Sequence, residues 1–589
     1  MSRTAPRESG VKPYPTKTPA GADPTRTKET WRDFWEQVVI AIILAVLIRG
    51  FDAEAFVIPT GSMAPTLMGR HKEVTCPQCG HLYAINASDD TEEFIVSRRL
   101  LETGICGNCR YRTVVDDTPS FKGDRILVMK FPYELPFLPG SAGPKRWDVV
   151  VFHYPEKPET NYIKRLVGLP GEDLRINHGD IQSRPGGTND PFEIRRKPPI
   201  HQRAMQMLVY DDHHRPKLLD GKPEWSRWQP GAGWKQDEAG TFAAGPLADP
   251  EAWSDLRYRH LVPDPEQWSA LEKSLPLPRE PRPTLITDFY SYNTNISPSY
   301  YDLWLQMHEG WLQPNWVGDL TVSCRVDIAD TGTAGKLKLE LVEAGVSHRC
   351  EVDLVSGLAS IYRGEAKLGE AGTVLRGRGA HDVEFANVDD RLTLWIDGET
   401  LFDDGLPYPR EDVPTAPYAP TAKDLDPVGV AIRGAQARVS DLVLKRDIYY
   451  TQDPRDPDHK IGGVHESVDR DEPTEFGRIV KMFDFLADPA KFAALKDLAT
   501  HDPYVIRPDH FMMMGDNSPR SSDSRAWESR DHAWRSEDRS SWEVPRTMLI
   551  GKAFFVYWPH GKPFGPDIRV NRDVRLPFRP YFERMKWIR

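Results

Sequence analysis

One apolar run near the beginning of the chain constrains the fold more than any other feature of the sequence. This run, VVIAIILAVLI, extends from Val38 to Ile48. Eleven apolar residues are short for a membrane span. Counting the flanking aromatic residues from Phe34 to Phe51 gives 18 residues, or about 27 Å of helix. Because aromatic side chains at both ends suit the two membrane interfaces, the segment 34–51 is predicted to be a transmembrane signal anchor.

The charges before this run predict its orientation. Residues 1–33 carry seven Lys and Arg against four Asp and Glu, so the positive-inside rule places this tail in the cytoplasm. Everything after residue 52 is then extracytoplasmic. The alternative is a cleaved signal peptide, because AEA at 53–55 fits the small-x-small cleavage pattern. The more than 30 residues before the run are too many for such a peptide, which favours an uncleaved anchor.

The remainder of the chain has the composition of soluble globular domains. At 589 residues it is too long for a single hydrophobic core, and its 39% of hydrophobic and 28% of charged residues are ordinary proportions. A net charge of −11 without a long basic block argues against nucleic acid as a partner. The 52 prolines predict long connections between compact pieces.

A serine enclosed by prolines follows the apolar run. The stretch FVIPTGSMAPTLMG, residues 56–69, holds Ser62 but lacks the Gly-x-Ser-x-Gly pattern typical of a histidine-activated nucleophile. A serine can instead be activated by a lysine that burial keeps neutral. Lys164, within the apolar stretch YIKRLVGLPGEDLRI, is a candidate for this base, although a solvated surface lysine is the commoner case.

Four sequence blocks follow one another behind the apolar run. They are IPTGSMAPTL (58–67), GDRILVMKFPY (123–133), RWDVVVFHYP with NYIKRLVGLPGE (146–172), and MMGDNSPRSSDSRAW (513–527). Together they closely resemble the characteristic blocks of type I signal peptidases, the membrane-anchored serine-lysine proteases that remove signal peptides. VPRTMLIGKAFFVYWP (544–559) resembles the strand that follows the last block. The resemblance covers about residues 31–70, 120–182 and 503–560.

The resemblance implies a role for each matched residue. Ser62 matches the nucleophile and Lys164 the general base. The Thr60 hydroxyl and the Ser62 backbone N–H match the two donors of the oxyanion hole, with threonine at a position that commonly holds serine. Ser521 matches the hydroxyl that orients the lysine amine. The other matched positions are supporting ones: Asp523 with Arg525 as an ion pair, and Asp124 and Asp148 as structural acids in strands.

Two CxxC pairs lie between the first two blocks. Cys76 and Cys79 stand in CPQCG, and Cys106 and Cys109 in CGNCR, with 26 residues between the pairs. Such knuckles predict a closed, tetrahedral, structural zinc site within a zinc-ribbon-like insert at residues 72–113. Two local disulfides are the alternative in an oxidising compartment. Because a CxxC disulfide closes only a small loop, zinc is favoured.

A second, larger insertion separates the third block from the fourth. Residues 183–300 show little periodicity and are predicted to be irregular, whereas residues 301–450 alternate apolar and polar residues and predict an antiparallel β-sandwich. The latter resembles a concanavalin or laminin-G jelly roll, so carbohydrate is one candidate ligand. Trp395 is interpreted as a sugar platform or a core residue. Cys324 and Cys350, on strands predicted to be neighbours, are either a disulfide or two buried thiols.

The predicted architecture is therefore mainly β. A catalytic core formed by residues 52–182 and 503–589 is interrupted by both inserts, with a connecting segment at 451–502. The resemblance implies cleavage of signal peptides from exported preproteins at the inner (cytoplasmic) membrane, beside the lipid bilayer and the secretion machinery, through an acyl-enzyme and without a catalytic cofactor.

Two other functions fit parts of the sequence. One is a catalytically inactive membrane-anchored protein whose sandwich binds a surface polysaccharide or protein. The other is a self-cleaving serine-lysine regulator of the repressor type. The intact residues Ser62, Lys164, Thr60 and Ser521 argue against the first, and the lack of a DNA-binding motif before the serine block argues against the second.

Overall fold

The computed structural model of the chain describes most, but not all, of its residues. The described ranges are 31–47, 53–88, 103–115, 120–130, 133, 143–237, 240–294, 315–410, 418–451, 483–493, 503–527, 542–569 and 575–589. The chain divides into two units, residues 1–53 and 54–589. The mainly β architecture predicted from the sequence is confirmed, because strands greatly outnumber helices in the described ranges.

The strands are numbered in chain order. Those before the large insertion are β1 (Ala53–Val57), β2 (His71–Thr75), β3 (Leu82–Asn86), β4 (Thr103–Ile105), β5 (Arg112–Val114), β6 (Ser120–Phe121), β7 (Arg125–Met129), β8 (Val149–Tyr154), β9 (Lys157–Gly168), β10 (Glu172–Asn177) and β11 (Asp180–Pro185). The insertion contributes β12 (Glu193–Ile194), β13 (Met207–Asp211), β14 (Trp228–Pro230), β15 (Trp234–Gln236), β16 (Phe242–Ala244), β17 (Ser254–Tyr258), β18 (Leu320–Asp330), β19 (Lys336–Glu343), β20 (Val346–Asp353), β21 (Leu358–Arg363), β22 (Ala366–Gly372), β23 (Gly379–Asn387), β24 (Arg391–Ile396), β25 (Glu399–Thr400), β26 (Leu406–Pro407), β27 (Val428–Arg433) and β28 (Gln436–Arg446). After it come β29 (Tyr504–Val505), β30 (His510–Met514), β31 (Glu543–Pro545), β32 (Leu549–Trp558), β33 (Gly561–Arg569), β34 (Arg575–Pro580) and β35 (Lys586–Trp587).

Helices are few and, after the first, short. They are α1 (Trp31–Leu47), α2 (Pro199–Met205), α3 (Pro265–Glu272), α4 (Pro489–Ala493) and α5 (Ser524–Trp527). The predicted anchor 34–51 is helical as far as Leu47, and its last four residues, like the tail 1–30, lie outside the described residues. Within the described ranges, no helix combines the length and the apolarity that a membrane crossing requires.

The predicted catalytic core is built around an eight-stranded sheet. Its order is β1-β7-β32-β8-β9-β30-β31, with β35 added to β32. Strands from before and after the insertion therefore lie side by side in one sheet. Val149–Phe152 of β8 are buried on both faces, as expected of a central strand. A four-stranded sheet, β12-β11-β10-β29, also combines strands from the two segments.

The large insertion contributes two antiparallel sheets that share one hydrophobic core, and their strands begin earlier in the chain than the predicted sandwich. One sheet has nine strands in the order β15-β16-β28-β18-β23-β24-β25, with β13 on β28 and β26 on β24, and the other has seven in the order β14-β17-β27-β19-β20-β21-β22. The interpretation of residues 183–300 as irregular is wrong, because β13 to β17 lie in these sheets. Strands of three to five residues are too short to show periodicity in the sequence.

Burial and strand position test two side-chain predictions for the insertion, one for Trp395 and one for the two cysteines. Trp395 is only 2% exposed and lies on β24, all of whose residues are buried, so it is a core residue and not an exposed sugar platform. Cys324 lies on β18 of one sheet and Cys350 on β20 of the other, so the prediction of neighbouring strands is wrong. Both cysteines are buried free thiols within the sandwich core.

Candidate active site

Ser62 lies on a short 3₁₀ turn, Gly61–Met63, that follows β1. Met63 and Leu67 anchor this turn by packing into an apolar core with Ile126 and Val151 of the catalytic sheet. The Ser62 carbonyl accepts a hydrogen bond from the backbone N–H of Asn517, at 3.1 Å. The serine is thus fixed by packing on one side and by a backbone contact on the other.

Lys164 lies beside Ser62. It is on β9, opposite Val150 of β8, and its Nζ is 2.8 Å from Ser62 Oγ and 3.0 Å from the Ile163 carbonyl oxygen. The lysine side chain is 4% exposed, and burial lowers its pKa to about 8, against the opposing charges of Asp523 and Asp516. A substantial share of the amine is therefore neutral near physiological pH and able to accept a proton.

The next residue on β9, Arg165, points to the other face of the strand. Its guanidinium makes two 2.7 Å contacts with the Asp516 carboxylate, and both side chains are fully buried. The Thr66 hydroxyl, from the serine loop, donates to the same carboxylate at 2.5 Å. Asp516 thus joins the strand that carries the lysine to the loop that carries the serine. Asp516 lies within the fourth sequence block, but nothing in that block predicts this role.

The predicted supporting ion pair is present. Arg525 contacts Asp523 at 2.7 and 2.9 Å, with neither side chain exposed, and Asp523 also accepts the backbone N–H of Gly515 at 3.0 Å. Although burial alone would raise the pKa of Asp523, the Arg525 charge holds it below its usual value. Asp523 is therefore ionised close to Lys164, and Arg525 offsets its charge.

Ser521 is buried, but its hydroxyl does not contact Lys164 with the geometry of a hydrogen bond. It lies beside the Asp523 carboxylate and against Gly515, and it makes no well-formed hydrogen bond within the described part of the chain. The orienting contacts that the structure shows for the lysine amine are Ser62 Oγ and the Ile163 carbonyl. The role of Ser521 in orienting the lysine stays a prediction.

The remaining predicted residues occupy separate positions. Thr60 is exposed at the start of the serine turn, and its side chain makes no capping hydrogen bond, so its assignment to the oxyanion hole also stays a prediction. Asp124 accepts the backbone N–H of Met68 at 2.8 Å and contacts Arg584 at 2.9 Å. Asp148 contacts Lys552 at 2.6 Å. Both acids bridge elements of the core, as their predicted structural role requires.

The large insertion reaches the serine loop, which the sequence analysis did not foresee. Asn293, on the 3₁₀ turn Ser291–Asn293, makes a pair of side-chain hydrogen bonds with Asn517, at 2.8 and 2.9 Å. The Asn517 amide also donates to the Gly61 carbonyl at 3.1 Å. Tyr292 lies so close to Gly61 that a Cβ there would be 2.3 Å from the ring. Because these residues lie in a segment without periodicity, no sequence signal identified them.

The four cysteines of the first insertion form one cluster. Their sulfur atoms all lie within 4.8 Å of one another, and the closest approaches cross between the knuckles, with 3.6 Å from Cys76 to Cys109 and from Cys79 to Cys106. Zinc–sulfur bonds of about 2.3 Å in a tetrahedron require sulfurs about 3.8 Å apart. All four side chains are buried free thiols. This donor set fits zinc and does not fit disulfides within each knuckle.

Segments of the catalytic core are similar in sequence to known proteins. The family model for signal peptidase, peptidase S26, matches residues 111–197 and 464–558. Signal peptidase I of Pseudomonas aeruginosa is 52% identical over 59 residues, which are 9% of this chain and 21% of that relative. The matched segments of the chain are therefore similar to signal peptidases.

Other relatives extend this similarity. Signal peptidase I of Rickettsia bellii is 26% identical over 152 residues, or 26% of this chain and 39% of that relative. The chain thus spans between about a fifth and two fifths of the curated signal peptidases it matches. The family-model ranges include Lys164 and Ser521 but begin after Ser62.

Solved structures of a carbohydrate-binding module and of a galectin match only weakly. A carbohydrate-binding module, CBM66 from Bacillus subtilis, covers 38% of this chain and 96% of its own, with 11% identity and a TM-score of 0.22. Sheep galectin-11 covers 22% of this chain and 90% of its own, with 8% identity and a TM-score of 0.16. Neither score supports a conclusion about this chain.

Proposed function

We propose that this chain removes signal peptides from exported preproteins, with Ser62 as nucleophile and Lys164 as general base. The observation that carries the proposal is the 2.8 Å contact between Lys164 Nζ and Ser62 Oγ, made by a buried lysine whose pKa is lowered to about 8. At pH 7 about a tenth of such an amine is neutral and can act as a base.

The reaction follows from this pair. Ser62 Oγ attacks the carbonyl carbon of the scissile bond while the neutral Lys164 amine takes the hydroxyl proton. The backbone N–H of Ser62 and the Thr60 hydroxyl donate to the oxyanion, each contributing about 3–4 kcal/mol to its stability. The tetrahedral intermediate collapses to an acyl-enzyme as Lys164 returns the proton to the leaving amine. Lys164 then deprotonates a water that attacks the acyl carbon and releases Ser62.

The charges around Lys164 influence the pKa of its amine and so its ability to accept the Ser62 proton. Asp523 and Asp516 favour the protonated amine, whereas burial and Arg525 favour the neutral one. Arg525 pairs with Asp523 and Arg165 with Asp516, so neither carboxylate acts on the amine uncompensated. Arg525 thus helps to lower the pKa of the Lys164 amine, and Arg165 balances the charge of Asp516.

The proposed location is the inner membrane, with α1 as part of a single-pass anchor and the N-terminus in the cytoplasm. Support comes from the apolar, exposed side chains of this helix: Phe34, Trp35, Ile40, Ile42 and Ile43 are each more than half exposed. Exposed apolar side chains along a helix are stabilised by contact with lipid. Alkaline carbonate extraction of cell membranes tests this, since an integral protein stays in the pellet.

The four cysteines are proposed to hold a structural zinc. Cys76, Cys79, Cys106 and Cys109 would supply all four ligands and leave no open position for chemistry. The zinc-bearing knuckles contact the insertion, because the Asn108 side chain donates to the His214 carbonyl at 2.7 Å and accepts the Asp211 N–H at 2.8 Å. The metal thus stabilises the cysteine knuckles that contact the insertion.

The test is cleavage of a synthetic preprotein by the purified full chain in detergent. Ser62→Ala and Lys164→Ala should each abolish cleavage without lowering the melting temperature, because the two residues act as one unit. Lys157→Ala is the matched control, since Lys157 is an exposed lysine on the same strand. Cleavage by either active-site variant at the wild-type rate would refute the mechanism.

A further inference from the structure

A second group of metal-ligating side chains lies apart from the cysteines. The ligand atoms of His71, Glu73 and His560 all lie within 4.8 Å of one another. His71 and Glu73 are two residues apart on β2 and so share a face of the strand. His560 lies in the turn between β32 and β33. Neither the serine-lysine chemistry nor the cysteine site uses these residues.

The two imidazoles are buried with nitrogens that the protein does not satisfy. His71 is fully buried and His560 is 4% exposed. Within the described residues, His71 Nε2 and both nitrogens of His560 make no hydrogen bond. Buried polar atoms are almost always paired, because an unpaired one costs about 1–3 kcal/mol. Two imidazole nitrogens without a polar partner, His71 Nε2 and His560 Nδ1, together with a third that makes only a long contact with Glu73, therefore point to an additional ligand.

The orientation of His71 is that of a metal ligand. Its Nδ1 lies 2.7 Å from the Gly69 carbonyl oxygen, so Nδ1 carries the proton and donates it. The unprotonated Nε2 is then free to bind a ligand. Metal-bound histidines typically donate their second nitrogen to a backbone carbonyl in this way, which fixes both the tautomer and the ring.

The spacing of the other two ligands fits the same metal. His560 Nε2 is 3.4 Å from Glu73 Oε1, which is long for a charge-assisted hydrogen bond of about 2.7–2.9 Å. Metal–ligand bonds of about 2.0–2.1 Å in a tetrahedron place two ligand atoms about 3.4 Å apart. The ring of His560 is also held in place by stacking on Phe121, with centroids 4.4 Å apart.

The positive charge of Arg584, which lies near the three ligands, is balanced by the Asp124 carboxylate. Arg584 acts on His71 and Glu73 electrostatically, which alone would oppose binding of a cation. Its guanidinium lies 2.9 Å from the Asp124 carboxylate, with Asp124 fully buried. The pair leaves Glu73 as the carboxylate available to balance a bound ion.

We propose that His71, Glu73 and His560 bind a divalent transition metal, with zinc as the best match to two imidazoles and one carboxylate, and with water as a fourth ligand. The metal would fasten β2 to the turn after β32. Gly69, which accepts the His71 proton, lies directly against Thr60 and Gly61, where a Cβ at residue 69 would be 2.1 Å from the Thr60 carbonyl carbon. The site thus supports the serine loop through the contact of Gly69 with Thr60 and Gly61.

Metal counting on the full chain in detergent, purified without a histidine tag, tests the proposal. Wild-type protein stripped with a chelator and reloaded should hold two zinc ions, and His560→Gln should hold one. His153→Gln, which removes an exposed histidine, should still hold two. If His560→Gln does not fold, Glu73→Gln, which keeps the size of the side chain, replaces it.

Cobalt substitution distinguishes the two sites. A four-cysteine site gives thiolate-to-cobalt charge-transfer absorption, whereas the proposed site gives only d–d bands. We expect Cys106→Ser to lose the charge-transfer bands and keep the second ion, and His560→Gln to do the reverse. A wild-type chain with only thiolate-bound metal, or a second ion that survives both His560→Gln and Glu73→Gln, would overturn the proposal.

Discussion

Gly61→Ala tests whether the insertion is in contact with the catalytic loop. A Cβ at residue 61 would lie 2.3 Å from Tyr292 Cε1, 2.6 Å from its hydroxyl oxygen and 2.8 Å from Cζ. Carbon atoms pack at about 3.5–4.0 Å, so the ring and the loop must separate by about 1 Å. Tyr292 is fully buried, so a displacement of its ring meets packed neighbours. The displacement therefore falls partly on the turn that holds Ser62.

The size of the effect follows from this displacement. Overpacking of a buried site costs about 1–3 kcal/mol of folding free energy. A shift of about 1 Å in a reacting group costs up to about 100-fold in rate. We therefore expect a lower melting temperature and a fall of about 10- to 100-fold in kcat/KM for cleavage of a short signal-peptide substrate.

The assay compares four proteins under the same conditions. They are the wild type, Gly61→Ala, Tyr292→Leu and the double variant. Leucine lacks the ring atoms that the added methyl group meets, so the double variant should recover part of the lost activity, with a coupling free energy of about 0.5–3 kcal/mol. Gly245→Ala is the control, because a Cβ there meets no atom within 4 Å.

Two results would refute this reasoning. Wild-type activity and stability in Gly61→Ala would show that Tyr292 does not press on the loop. A double variant no better than Gly61→Ala would show that the loss arises within the loop itself.

Three further predictions concern the core and the cysteines. Because only the neutral amine of Lys164 acts as a base, kcat/KM should rise about tenfold per pH unit up to a pKa near 8 and then level, and a flat profile from pH 6 to 8 would contradict that base. Asp516→Asn leaves the buried Arg165 charge unpaired and should lower the free energy of unfolding by about 3–5 kcal/mol, measured by denaturant titration, whereas a loss below 1 kcal/mol would be inconsistent with the pair. Cys106→Ser should lose the four-cysteine zinc, detected by elemental analysis, while metal-free wild-type protein with disulfides in each knuckle would favour the rejected alternative.

The chemistry of the active site could be predicted from the sequence because it is written in short local blocks. Ser62 and Lys164 each stand in a recognisable stretch, and the structure brings them within 2.8 Å. The cysteine cluster was equally accessible, since its ligands come as two CxxC pairs. For the cysteines, residue type and spacing carry the signal, whereas the roles of Ser62 and Lys164 are those that the resemblance to type I signal peptidases implies.

The contribution of the insertion could not be predicted in the same way. Asn293 and Asn517 are 224 residues apart in the chain, and Asn293 stands in a segment without helical or strand periodicity. Short strands such as β14 to β16 show no alternation that would distinguish them from loops. For this reason the predicted start of the sandwich, residue 301, lies after strands that belong to its sheets. Trp395 was ambiguous because a tryptophan on a strand is equally compatible with either face until both layers are known.

Arg165 and Asp516, which join the lysine strand to the serine loop, are 351 residues apart in the chain. At a synthesis rate of about 5–20 residues per second, roughly 20–70 s pass between the emergence of the two residues from the ribosome. During that interval the nucleophile and the base already exist, but the acid and the amide that hold them together do not. The contacts that hold the Ser62 loop beside the Lys164 strand can therefore be completed only after residue 516 has been synthesised.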